Sequence, residues 1–129
     1  MVTYTTRAAI PHAIVFINDP IMIIDVPENT GAAPALSTRN CVTIWTQHED
    51  EGEVELSISD EPPPAALVPA FSGFIEVENG RIAYNNSSAE EILGADVASG
   101  IVPIEVFVDQ MPIAEVVFCR AALTEAQPA

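Results

Sequence analysis

Short apolar runs broken by turn residues repeat along the chain, and no helical period of three to four residues persists. Residues 13–17 and 21–26 are almost continuously apolar and flank Asn18-Asp19-Pro20, a composition that predicts a tight turn between two strands. Runs apolar at successive positions suit central strands covered on both faces. Residues 27–38 carry Gly31, Pro34 and several alanines and read as a connecting loop. Residues 41–46 alternate β-branched and aromatic side chains, and residues 53–59 set acids or serines against Val54, Leu56 and Ile58. That period of two predicts a half-buried strand. Gln47-His-Glu-Asp-Glu-Gly52 between them is expected as an exposed hairpin loop. Pro62, Pro63 and Pro64 end the second of these strands, because consecutive prolines cannot donate to a ladder. From there through Pro69 the chain is expected to cross between sheets.

In the second half, residues 74–78 and 81–84 are joined by Asn79-Gly80, the favoured composition of a type I′ hairpin turn. Ser88-Ala-Glu-Glu91 has the spacing of a capping box and predicts a turn or one turn of helix, ended by Gly94. Residues 102–109 and 113–119 predict a last hairpin around Gln110-Met-Pro112, with Pro103 placing the start of its first strand at a sheet edge. The tail from Thr124 is expected to fray. About eight closely spaced strands, mostly in antiparallel hairpins, predict an all-β fold. The expected form is a two-sheet antiparallel β-sandwich or jelly roll, with residues 1–129 as one domain.

Composition sharpens this picture in two ways. With 129 residues, 49% of them hydrophobic, the chain can build a core without staples, and disorder is excluded as a description of the whole. Cys41 and Cys119 lie in apolar strand-like runs, so buried free thiols are expected, a single disulfide between adjacent strands being the alternative. The first seven residues lack a basic region leading into an unbroken apolar stretch, and residues 13–26 are too short and punctuated to span a bilayer. The expected compartment is the cytoplasm.

Charge changes the picture most. Nineteen acidic residues against four arginines and no lysine give a formal charge of −15. Such a surface repels nucleic acid and anionic membranes, since both are bound through Lys and Arg. It favours basic proteins and cations, unless the acids serve solubility alone.

Catalytic chemistry is hard to assemble from these residues. His12 follows Pro11 at a strand entrance, where a surface or packing role is expected. His48 leads Glu49-Asp50-Glu51 and could be oriented by a carboxylate, but no activated nucleophile, phosphate loop or metal-ligand spacing accompanies it. No enzyme and no cofactor are expected. Glu49, Asp50, Glu51, Glu53 and Glu55 form the sharpest local feature. The run lacks the alternating pattern of a calcium loop. It suits a docking patch in which Glu53 and Glu55 share a strand face, their repulsion relieved when something cationic arrives. A solvated loop beside a charge-guarded edge strand is the simpler alternative.

Residues 71–82 (Phe-Ser-Gly-Phe-Ile-Glu-Val-Glu-Asn-Gly-Arg-Ile), then Ser99-Gly100, then residues 102–109 (Val-Pro-Ile-Glu-Val-Phe-Val-Asp) resemble the bacterial competence protein J family. The resemblance implies a small acidic β-sandwich whose namesake inhibits a partner nuclease. The family's aromatic-rich closing strand is here Val116-Val-Phe-Cys-Arg-Ala, without tryptophan, and no inhibitory residue is carried over. Charge and resemblance together predict a non-catalytic acidic protein-binding module that occupies the basic groove of a nuclease, with residues 49–55 as the contact surface. The alternative is a structural or oligomeric sandwich whose acids only solubilise, with residues 13–26 as the subunit interface. A metal-dependent hydrolase at His48 is the third class.

Overall fold

The computed structural model describes residues 2–21, 35–111 and 113–124. Ten strands lie among these residues: β1 Thr3–Ala8, β2 Ile14–Asn18, β3 Ala35–Ser37, β4 Cys41–Trp45, β5 Val54–Ser59, β6 Val68–Val77, β7 Arg81–Asn85, β8 Glu91–Asp96, β9 Gly100–Val108 and β10 Val116–Arg120. They form two five-stranded sheets, β1-β5-β10-β9-β6 and β3-β4-β2-β7-β8. Every pairing is antiparallel except β5 with β10. The fold is all-β and two-layered, as the alternation predicts, with ten strands where eight are read from the sequence. Three of the ten, β1, β3 and β8, are not among the expected strands. The strand expected at residues 21–26 lies outside the described residues.

The period-two residues of both sheets meet in one core. Val54, Leu56 and Ile58 of β5 and Val102, Ile104, Val106 and Val108 of β9 face Val15, Ile17, Val42, Ile44, Ile82 and Tyr84 of the second sheet. Burying a side chain of this size is worth roughly 1.5–3 kcal/mol, so this seam dominates stability. Tyr84, fully buried on β7, donates its hydroxyl proton across the layers to the Ser57 carbonyl at 2.9 Å. Its polar end thus finds a partner inside an apolar core. Cys41 on β4 and Cys119 on β10 belong to different sheets; both are buried free thiols, and burial pushes each up to about 12.

Connections differ from the sequence expectation more than strands do. β4 and β5 lie in different sheets, so residues 46–53 bridge the layers and form no hairpin. β6 and β7 also part at Asn79-Gly80: Gly80 alone adopts positive φ (68°), whereas a type I′ turn needs it at both central positions. The reason is a buried acid elsewhere. Asp19, just past β2, accepts the N–H groups of Glu78 (2.9 Å) and Asn79 (2.7 Å), so these donors anchor a corner between sheets. Residues 60–67 join two strands of the same sheet. Because β5 and β6 both run parallel to β10, this proline-rich stretch carries the chain back along the sheet's length.

Residues 88–91 form no helix. Asn86 accepts the N–H groups of Ser88 (2.9 Å) and Glu90 (3.1 Å), and β8 then pairs with β7 through Gly94, opposite Ala83. A Cβ at Gly94 would run into the guanidinium of Arg81, which forks onto Glu91 at 2.9 and 3.0 Å. The expected hairpin of residues 102–109 and 113–119 is present as β9 and β10. β9 is interior rather than an edge, yet its ladder with β10 spans only Glu105 to Val108. Pro103 therefore sits beyond that ladder, where its missing donor costs least. β2 is the middle strand of its sheet with Val15 and Ile17 in the core, so both its edges are paired and only its outer face, with Ile14 and Phe16 half-buried, is open to contact. Among the described residues, no helix is long and apolar enough to cross a membrane.

Candidate functional site

Glu49, Asp50 and Glu51 stand on a single 3-10 turn at the end of the sandwich, where the chain passes from β4 to β5. The turn forms because His48 caps it: Nδ1 accepts the Asp50 N–H at 3.1 Å, and the His48 carbonyl accepts the Glu51 N–H at 2.9 Å. Gly52 closes it with φ 133°, a conformation that favours glycine. Gln47 then ties the loop to the sheet, its side-chain amide donating to the Glu53 carbonyl at 2.9 Å. All three acids are exposed, and the ends of the turn are fixed by four hydrogen bonds, counting that of Gly52 N–H to the Glu49 carbonyl. Such preorganisation lowers the ordering cost of binding.

Glu53 and Glu55 behave differently. Arg7 on β1 lies directly across from Glu55, and its guanidinium approaches Glu55 at 3.9 Å and Glu53 at 4.0 Å. The cation that the like-charged pair requires is thus supplied by the chain itself. These are exposed, loose pairs, so each is worth at most about 1 kcal/mol. β5 is also no edge strand: it lies between β1 and β10, and Ser57 and Ser59 on its outer side are buried beside Thr5 and Thr3. The charge-guarded edge of the simpler alternative is therefore absent at β5.

The described structure brings together more than the acidic run. Gln47 N–H donates to the Ala114 carbonyl at 2.9 Å, Ala114 N–H to Trp45, and Glu55 N–H to the Glu115 carbonyl at 3.0 Å. The β9–β10 loop therefore stands beside the acidic turn and adds Asp109 and Glu115. Asp109 braces this loop by accepting the N–H groups of Glu115 and Val116 at 2.9 and 3.0 Å. His12 lies exposed on a neighbouring short turn, Pro11–Ala13, where both His12 and Ala13 hold φ near 60°. His48 Nδ1 is spent on capping, and while it accepts the Asp50 N–H it cannot also donate to the Asp50 carboxylate 3.4 Å away. Among the described residues, Glu49 and Glu51 have no ion-pair partner, and no three His, Cys, Asp or Glu side chains converge as a metal site requires.

Sequence reasoning placed the five acids together but missed Arg7 and the β9–β10 loop. Arg7 was legible in the alternation of residues 3–8 (Thr-Tyr-Thr-Thr-Arg-Ala), a β-branched and aromatic run. The loop's position depends on the parallel β5–β10 pairing, which no local pattern specifies.

No family model matches the chain, and no curated protein matches it. Among solved structures the chain is similar to that of ComJ from Bacillus subtilis, described as the inhibitor of the DNA degrading activity of NucA. The likeness has a TM-score of 0.69 and covers 94% of this chain and 96% of that one, at 10% sequence identity. The two share a fold.

Proposed function

We propose that this chain is a non-catalytic acidic module that binds a basic protein, a nuclease first among the candidates, through Glu49, Asp50 and Glu51. The observation that carries this reading is the braced turn that displays three acids among which Glu49 and Glu51 have no ion-pair partner in the described residues. Asp109 and Glu115 extend the same negative end, and among the described residues Arg7 is the one arginine paired there. Charge concentrated on a rigid loop draws in a cationic partner and matches what a nuclease presents to a phosphate backbone. The shared fold with a nuclease inhibitor supports the choice of partner class. Glu53 and Glu55, already facing Arg7, contribute less than the other three.

The test is capture on the immobilised protein at low salt from an extract of its own cells. The DNA-degrading activity of any basic protein released by salt is then assayed with and without this chain. Stoichiometric inhibition supports the proposal. A captured protein whose activity is untouched removes the inhibitor role.

A further inference from the structure

β1 stands at the edge of the first sheet, and its ladder with β5 runs without a bulge from Thr3 to Ala8. Two bonds show which way its main-chain groups point. The Val2 carbonyl accepts the Asp60 N–H at 3.3 Å, on the β5 side. Glu55, across from Arg7, sends its own N–H the other way, to the Glu115 carbonyl at 3.0 Å. Residues of an antiparallel ladder bond to one side and the other in turn. Tyr4, Thr6 and Ala8 therefore bond β5, whereas Thr3, Thr5 and Arg7 turn their N–H and C=O groups away from it. Among the described residues nothing bonds these outward groups, and Thr3, Thr5 and Arg7 are exposed. A straight edge of β-branched residues with no proline or bulge is a template for another strand. The other edges suit this less: β3 has three residues, Glu76 N–H of β6 already donates to the Arg39 carbonyl at 2.8 Å, and β8 begins and ends in an acid.

The pattern along β1 selects the occupant. A two-fold axis through Thr5 and normal to the sheet sets Thr5 against Thr5 of a second copy, and Thr3 against its Arg7. Each outward residue then exchanges both main-chain bonds with its counterpart, and the core faces of both copies stay on one side. The side chains match under the same rotation. Thr3, Thr5 and Arg7 lie on the outer face, because Tyr4, Thr6 and Ala8 oppose the core residues Ile58, Leu56 and Val54. At one end of the strand Thr3 donates its hydroxyl proton to Glu61. At the other end the Arg7 guanidinium is only loosely held, 3.9 Å from Glu55 and 4.0 Å from Glu53. The rotation brings each Arg7 beside the Thr3 that holds Glu61 on the other copy, so a cation meets an acid at both ends. β1 itself holds no acid, in a chain of net charge −15 whose copies repel elsewhere. We infer that β1 pairs antiparallel with β1 of a second copy, joining two five-stranded sheets edge to edge.

Sedimentation velocity of the full chain over a wide concentration range, with amide hydrogen exchange on the same samples, tests this. The expected result is a reversible dimer that forms more readily as salt screens the net repulsion. The Thr3, Thr5 and Arg7 amides should be protected at high concentration and exchange freely on dilution, while Tyr4 and Thr6, bonded to β5, keep the same protection at both. Thr5→Pro removes the central donor, which faces solvent in a single copy, and should weaken the dimer by roughly a hundredfold or more. Arg7→Glu or Glu61→Arg alone should weaken it roughly tenfold, and the two together should restore it, because the exchange of charges recreates the pair. The charge exchange decides the matter even where Thr5→Pro fails to fold. Reversal of Glu49, Asp50 and Glu51 to Lys touches none of these residues and should leave the dimer in place. A monomer at every concentration and salt overturns the inference, as does a dimer whose Thr3, Thr5 and Arg7 amides exchange freely, or one that persists in folded Thr5→Pro. Single charge reversals that the double variant does not rescue overturn it as well. A monomer in which a basic protein protects the same three amides would assign the edge to that partner and overturn it too.

Discussion

Replacing Asp19 by Asn preserves the shape of a buried side chain and removes its charge. Its two oxygens have distinct tasks: Oδ1 accepts the Ile21 N–H at 3.0 Å, and Oδ2 accepts Glu78 N–H, Asn79 N–H and the Asn79 side-chain amide at 2.9, 2.7 and 3.0 Å. An amide can serve only one of these sets. With its oxygen toward Glu78 and Asn79, its NH₂ faces the Ile21 donor, losing about 1 kcal/mol where water is near. The three remaining bonds become neutral, each weaker by roughly 0.5–1 kcal/mol. The sum is about 3 kcal/mol, or roughly 10 °C in melting temperature for a chain of this size. Burial alone would raise the Asp19 carboxyl, but these donors outweigh it and hold the carboxyl below its ordinary 3.8. The stability it contributes is therefore present above that value and is lost as pH falls through the lower folded value. Urea unfolding of wild type and Asp19→Asn between neutral pH and pH 3 should show a gap that narrows only at the acid end. A loss below about 1 kcal/mol at neutral pH, or a gap independent of pH, would refute the anchoring of β2 to the β6–β7 corner.

Two further outcomes follow from the core. Tyr84→Phe should lower stability by about 1 kcal/mol in chemical denaturation, because the Ser57 carbonyl loses a donor across the layers while packing is kept. Cys41 and Cys119, pushed up to about 12 by burial, should react with a thiol reagent at neutral pH only as fast as the chain unfolds. Rapid labelling of either in the folded state would contradict their placement in the core.

Much of the architecture was legible because period-two alternation reports burial directly. Val54, Leu56 and Ile58, or the alternating residues of β9, could face only one core. Which strands share a sheet was not legible. Asn79-Gly80 has the chemistry of a hairpin turn, but Asp19 lies sixty residues away in sequence and takes the donors that would otherwise cap one. Ser88 to Glu91 carries a helix-start pattern, but pairing with β7 and the Arg81–Glu91 fork extend it as a strand; the same contact lowers the Glu91 carboxyl. The five acids were found because charge density is a local property. Their division into Glu53 and Glu55, which Arg7 faces, and Glu49 to Glu51, which it does not, depends on the β1–β5 register.

The measurement that tests the central claim most directly is the association rate of the captured basic protein with wild type and with Glu49→Lys/Asp50→Lys/Glu51→Lys, across a salt series. Reversal of three exposed charges on a steering surface should slow association by roughly 10- to 100-fold at low salt and flatten its salt dependence, with dissociation changed less. An association rate and salt slope equal to wild type would contradict the assignment of this turn as the binding surface.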